Sequence, residues 1–408
     1  MGNRKRADKI NILVFGVVFL FYLLVTLFLF HRQTVAYGGR YPSDMGAYIV
    51  EIQGIDSGFS FPYPVMFWVA GILARFTTPE HAMAVTVTFF NGLTLLSLKW
   101  FADSALKVRG GQDWKRGAAA TAIAVTLLLV SMLYPLTYLG NYQEMGEGYL
   151  YRYKGVFSPN PYHNATYLAA RPFAVAAFFL CCFCLREYEG KHRWVNRDYG
   201  LFSVFLFLAT LTKPSFTLIL VASAGSVMLV RLAAGRFRGV KAFFQLGIYF
   251  LPTFGVLLYQ YSDVFTGTVL EEKGIGVGFF TAWSQACSNI PLAVASNLLF
   301  PVLVSWFHRR RLAQEKNLLF AWLLYGMGFL TLAFLYEKGY RMAHLNFAWG
   351  YMYGLFFLFV TSGLLLMKST LARNLKPWKL WVQWGAYGLH LICGIDYFRV
   401  LLQGGLYL

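Results

Sequence analysis

Stretches of about twenty apolar residues, separated by short polar connections, recur along the whole chain. Wound as a helix with 1.5 Å of rise per residue, such a stretch covers the roughly 30 Å hydrocarbon core of a bilayer. Eleven are predicted as membrane-crossing helices: 10–30, 80–102, 117–136, 167–185, 201–212, 216–230, 242–261, 290–307, 318–336, 351–367 and 380–402. The first has a basic lead-in like a signal peptide, but its length exceeds a signal core and Thr34-Val35-Ala36 is a poor cleavage site. It reads as an uncleaved anchor. Two runs break the pattern. Segment 201–212 reaches only about 18 Å before Lys213-Pro214 stops it, so a lysine and a helix break fall within the outer leaflet, where they need internal partners or a wet cavity. Segment 62–76 is apolar but too short to cross, and suits a helix lying in the interface. The two halves share no motif, which argues against a transporter built from duplicated halves.

The chain of 408 residues is 58% apolar and 13% charged, where globular domains carry about 25% charged residues. The expected fold is therefore all-α: a single polytopic transmembrane bundle over 1–408 with about eleven spans and no soluble domain. Charge supplies the orientation. The amino terminus and alternate connections hold 25 of the 36 basic residues against seven acids, so that face carries the whole net charge of +18. By the positive-inside rule this places the amino terminus in the cytoplasm and the carboxyl terminus outside. The charge thus reports topology and contact with anionic lipid, and nucleic acid is not an expected partner. Compact loops point to a multi-pass protein of a bacterial plasma membrane. Cys181, Cys182 and Cys184 lie inside an apolar run and read as small hydrophobes; Cys287 and Cys393 are isolated, and neither a metal nor a cofactor is expected.

Unusual polar residues gather on the other face, in the loops 31–79, 137–166 and 337–350. Soon after the first span, the stretch YPSDMGAYIVE holds Asp44 and Glu51; a carboxylate held where water is scarce is a candidate general base. The second loop carries Glu144, Glu147, Arg152, Lys154, His163 and Asn164, and Arg171 lies just inside the next span. The third loop holds Lys338, Arg341, His344 and Asn346. Interface snorkelling accounts for several of these cations, and Asp396 with Arg399 reads as a structural ion pair on one helix face. Asn164-Ala165-Thr166 matches a glycosylation sequon but abuts a span. Arg171 and Lys213 are too deep for free surface charges. Cations at that depth, on the same side as Asp44, suggest a buried anion, and in a membrane the commonest is a lipid phosphate.

This arrangement resembles the GT-C superfamily of membrane glycosyltransferases, which take a sugar from a polyprenyl or dolichyl phosphate. The likeness covers most of the chain: a cytoplasmic amino terminus, about eleven spans, an acid in the first outer loop, an interfacial helix after it and short broken spans mid-chain. The resemblance implies that Asp44, in Ser43-Asp44-Met45-Gly46, is the general base of an inverting transfer to an acceptor hydroxyl. Phosphate-binding cations would fall among Arg152, Arg171, Lys213, Lys338 and Arg341. Glu51, Glu144 or Glu147 would bind sugar hydroxyls, with Lys154, His163, Asn164 and His344 as further substrate contacts. Many members pair Asp with Glu at this place; here Ser43 precedes Asp44, which speaks against a metal-assisted variant. The implied partners are membrane lipid, the polyprenyl-phosphate-linked sugar and a glycan or lipid acceptor. Two other readings are a polymerase or ligase of lipid-linked glycans, which would use Arg341 and His344 with a diphosphate donor, and a transporter or flippase of lipid-linked sugars.

Overall fold

The structure is a computed structural model that describes residues 2–35, 40–108, 114–139, 153–190, 194–265 and 274–405. Among these residues the α-helices are α1 Gly2–Val35, α2 Met45–Ile52, α3 Val65–Leu73, α4 Pro79–Ala105, α5 Trp114–Leu127, α6 Ala165–Glu187 and α7 Arg197–Thr212. They continue as α8 Ser215–Ala234, α9 Val240–Gly247, α10 Leu251–Phe265, α11 Ile290–Phe307, α12 Lys316–Phe334, α13 Ala348–Ala372 and α14 Pro377–Leu402. Every predicted span contains helix, and eight helical stretches are long and apolar enough to cross a membrane. The spans that fall short are α5 and α7, with 14 and 16 residues, and α14, which is long enough but carries Gln383, His390 and Asp396.

Helix α13 is the axis of the bundle. From Tyr351 to Leu366 every side chain is buried, as expected for a helix apolar on all sides. Its closest neighbour is α12, and glycines set the approach: a Cβ on Gly354 would lie 2.7 Å from Tyr325 Cα, and one on Gly328 2.9 Å from Tyr351 Cα. Without lipid-driven attraction between helices, such small residues let backbones meet and gain dispersion contact. Helix α1 lies at the periphery and leaves Ile12, Leu13, Val17, Phe21 and Leu24 exposed, a face suited to lipid. Helix α3 is the short apolar helix expected within 62–76. It buries Met66 and Ala70 while Trp68 and Ile72 face outward, as an interfacial helix would.

Three differences from the expected boundaries have physical causes. The span 117–136 stops being α-helical at Leu127, and the chain unwinds before a 3-10 turn at Tyr134–Leu139. Backbone freed at that depth needs partners from within the protein. Asn160 Nδ2 donates to Leu127 O (3.0 Å) and Val130 O (2.9 Å), Tyr162 Oη donates to Leu128 O, and the Ser131 N–H donates to His390 O. The span 242–261 is interrupted by a 3-10 turn at Ile248–Phe250, where Pro252 removes one N–H from the helical ladder. The mostly helical fold carries one small addition: two short strands, β1 Ile275–Val277 and β2 Leu335–Glu337, pair antiparallel with Gly276 opposite Tyr336. Lacking a side chain, Gly276 lets the Tyr336 ring lie across it; a Cβ there would meet Tyr336 Cζ at 2.3 Å.

The contact between α14 and the unwound end of α5 leaves no room for a methyl group. A Cβ on Gly394 would sit 1.6 Å from Leu129 O, whereas one on Gly388 would meet nothing within 4 Å. Gly394→Ala is expected to destabilise the protein by about 2 kcal/mol or more, and Gly388→Ala to be neutral or better, as read by thermal unfolding in detergent.

Candidate active site

Asp44 occupies the N-cap position of α2, where an aspartate ordinarily accepts a hydrogen bond from the first turn. Its carboxylate accepts none from that helix. It turns instead toward the start of α6, where Asn164 Nδ2 donates to Asp44 Oδ2 (2.6 Å) and to Tyr48 Oη (2.9 Å). The backbone adds a second tie, from Asp44 N–H to His163 O (3.1 Å).

Asn164 is the N-cap of α6, and this role decides which way its amide faces. Its Oδ1 accepts from the Tyr167 N–H (2.9 Å) and from the Thr166 hydroxyl (2.9 Å), which leaves the NH2 pointing at Asp44. The same Oδ1 is 3.4 Å from Lys213 Nζ, whose shorter bond runs to Thr166 Oγ1 (2.9 Å). One amide therefore stands between a carboxylate and an ammonium, contributed by positions 44 and 213. Lys213 ends α7 where Pro214 forbids the helix to continue, and its buried side chain lies over the Trp349 ring at 4.5 Å.

These groups open onto a cavity of about 930 Å³. Of the expected site residues, Asp44, Lys154, His163, Asn164, Lys213, Arg341 and His344 line it. Arg341 and His344 come from a 3-10 turn, Gly339–His344, that leads from β2 into α13. The turn is held by Glu337, which accepts from Arg341 Nε (2.9 Å) and Asn346 Nδ2 (2.6 Å). Toward α8 and α10 the wall is apolar, with Leu218, Ile219, Phe254 and Leu258, and the last of these is largely exposed on the bundle's outer surface. Two carboxylates, Asp44 and Glu337, and three basic side chains, Lys154, Lys213 and Arg341, line the space.

Burial holds His163 uncharged: its pKa is lowered to about 4, with Lys213 adding to the effect and Asp44 opposing it. His344 is lowered by burial and by Arg341. Burial raises the pKa of Tyr48 and Tyr63, so both phenols remain neutral donors. Among the described residues no three His, Cys, Asp or Glu side chains gather as a metal site.

Other expected contacts lie elsewhere. Arg171 does not line the cavity; it is fully buried in the bundle, donating to Asn160 Oδ1 (2.7 Å) and Asn91 Oδ1 (2.5 Å). Glu51 also falls outside the lining, about 10 Å along α2 from Asp44, with its pKa raised by burial and by Asp56. Lys338 follows β2, where side chains alternate between faces, so that Glu337 rather than Lys338 reaches the cavity. Glu144, Glu147 and Arg152 lie outside the described residues. Sequence reasoning missed Glu337 and Tyr48 and left Asn346 without a role. A clue was present for Glu337, the acid immediately before Lys338 in an otherwise basic loop.

No family model, no curated protein and no solved structure matches this chain. The residues and their geometry are thus the basis for assigning an activity.

Two consequences are measurable. Asn164→Ala removes a helix cap and the bridge between Asp44 and Lys213, and should cost about 1–2 kcal/mol in thermal unfolding. His163 has a folded pKa below its unfolded value near 6.5, so the unfolded chain binds more protons between about pH 6.5 and 4. Its contribution to stability is full above that window and declines as pH falls through it; His163→Gln should flatten this part of the stability profile.

Proposed function

We propose that the chain is a GT-C-type membrane glycosyltransferase, transferring a sugar from a polyprenyl-phosphate donor to an acceptor hydroxyl with inversion. In this reading all eleven helical spans cross a plasma membrane, with α5 and α7 as short crossings. The cavity faces the extracytoplasmic side. The observation that carries the proposal is the Asp44–Asn164–Lys213 arrangement at one end of a cavity whose other wall is apolar and includes the exposed Leu258.

The chemistry follows from that arrangement. Asp44 accepts the proton of the acceptor hydroxyl as its oxygen attacks the anomeric carbon, and the bond from that carbon to the phosphate oxygen breaks with its electrons leaving on the phosphate. The departing phosphate gains a charge beside Lys213, already buried and oriented by Asn164 and Thr166, so little reorganisation is needed as charge develops. Asn164 keeps Asp44 directed into the cavity while it is a base. The polyprenyl chain would lie along Leu218, Ile219, Phe254 and Leu258, and Tyr48, Tyr63 and Trp349 offer hydroxyls and ring faces to the sugar.

A second reading has one observation in its favour: Arg341 and His344, which a lipid-linked glycan polymerase or ligase would use with a diphosphate donor, also line the cavity. Charge favours the monophosphate. Glu337 offsets Arg341 through its bond at 2.9 Å, which leaves less positive charge for a diphosphate than for a phosphodiester.

Purified protein given radiolabelled polyprenyl-monophosphate and polyprenyl-diphosphate sugars should consume only the former. Asp44→Asn should slow transfer by about 10²–10⁴-fold while the donor is still retained. Lys213→Met should lose about 10²–10³-fold. Normal turnover by Asp44→Asn would remove this residue from the mechanism.

A further inference from the structure

At the opposite end of the same helices lies a smaller feature that owes nothing to the proposed reaction. Helices α6, α8 and α12 each have one end at the cavity, through Asn164, Ser215 and Thr331. At their other ends they enclose a groove of about 280 Å³ lined by Val227, Leu319, Phe320 and Leu323, with Arg186, Arg231 and Lys316 at its rim. Each cation comes from a different helix, which excludes a simple run of basic residues along one surface.

Among the described residues, the contacts these cations make are to a carbonyl and to aromatic rings. Arg231 donates one bond to Leu185 O (2.5 Å), closing the end of α6, and lies over the Tyr188 ring. Arg186 lies over Phe183. Among the described residues none of the three cations is ion-paired with a carboxylate, and neighbouring Glu189 accepts from the Tyr188 hydroxyl. Three like charges around an apolar groove repel one another, and water relieves this poorly beside hydrocarbon. An anion with an apolar tail satisfies both halves of the site: its phosphate replaces the missing carboxylate and its chain covers Leu319 and Leu323.

We propose that this groove is a binding site for the phosphate headgroup and proximal acyl chain of an anionic phospholipid, in the leaflet facing the basic connections. Basic pockets between transmembrane helices are suited to this ligand because the bilayer itself presents phosphate at that depth. The site is separate from the cavity, so its occupancy is read directly and does not depend on the activity proposed above.

The test uses the full chain exchanged into nanodiscs of phosphatidylcholine and phosphatidylglycerol, with retained lipid counted by native mass spectrometry after transfer to detergent. One phosphatidylglycerol per chain should persist and phosphatidylcholine should not. Arg186→Gln with Lys316→Gln, which spares the Arg231 bond to Leu185, should weaken retention about thirty-fold with unchanged thermal unfolding. Arg310→Gln with Arg311→Gln removes as much charge from the same end of the bundle, at exposed positions away from the groove, and should leave retention intact. Equal retention of the two lipids, an equal loss in the Arg310/Arg311 variant, or displacement by millimolar inorganic phosphate would overturn the proposal. The last outcome would mark a soluble-anion site.

Discussion

The orientation of one side-chain amide is the constraint on which the cavity depends. Asn164 is obliged to cap α6 with its oxygen, so its nitrogen has only one direction left, toward Asp44 and Tyr48. A helix cap is an ordinary local device, worth about 1 kcal/mol. Here it also sets the geometry between a carboxylate from the first loop and an ammonium from a helix break far along the chain. Helix formation and site assembly are therefore the same event at this residue.

The rigidity of that cap comes from deeper in the bundle. The guanidinium of Arg171 is fully buried, and an unpaired charge at such a depth costs several kcal/mol unless its donors are satisfied. Two amide oxygens accept from its two terminal nitrogens, while its Nε finds no partner among the described residues, and one of those oxygens belongs to Asn160, whose NH2 holds the unwound end of α5. Tyr162 joins the same network through Leu128 O and the Tyr22 hydroxyl. The loop from 158 to 164 is thus fixed at Asn160, Tyr162 and Asn164 in turn, and His163 is carried into the cavity wall between fixed points. Arg171 serves the site as an anchor for the loop rather than as a ligand for phosphate.

The two ends of the bundle differ in how charge is handled. At the Asp44 end, cations and carboxylates are interleaved: Glu337 with Arg341, Asn164 between Asp44 and Lys213. At the other end Arg186, Arg231 and Lys316 face a groove that, among the described residues, no acid lines. The first arrangement fixes the orientation of its charged groups through one another, whereas the second, among the described residues, offers its cations no carboxylate.

Much of this was legible in the sequence, because span-forming helices obey a rule of length and apolarity that acts locally. Each predicted span contains a helix, Lys213-Pro214 marks a real helix end, and 62–76 contains a separate short helix with an exposed apolar face. Asp44, His163, Lys213 and Arg341 were legible as candidates, since polar groups are conspicuous in so apolar a chain. What a residue at a given depth bonds to was not legible. Arg171 and Lys213 are both cations next to a proline near a span end, yet only Lys213 reaches the cavity. Arg171 turns inward to Asn91 and Asn160, residues on other segments. The early end of α5 was equally hidden, because unwinding it is possible only where Asn160, Tyr162 and His390 supply hydrogen bonds from across the fold. Sequence by itself determined where apolar helices form and which polar residues stand near their ends. Tertiary structure alone decided which of those residues share one cavity, since a buried charge is directed by its partners, and these come from distant parts of the chain.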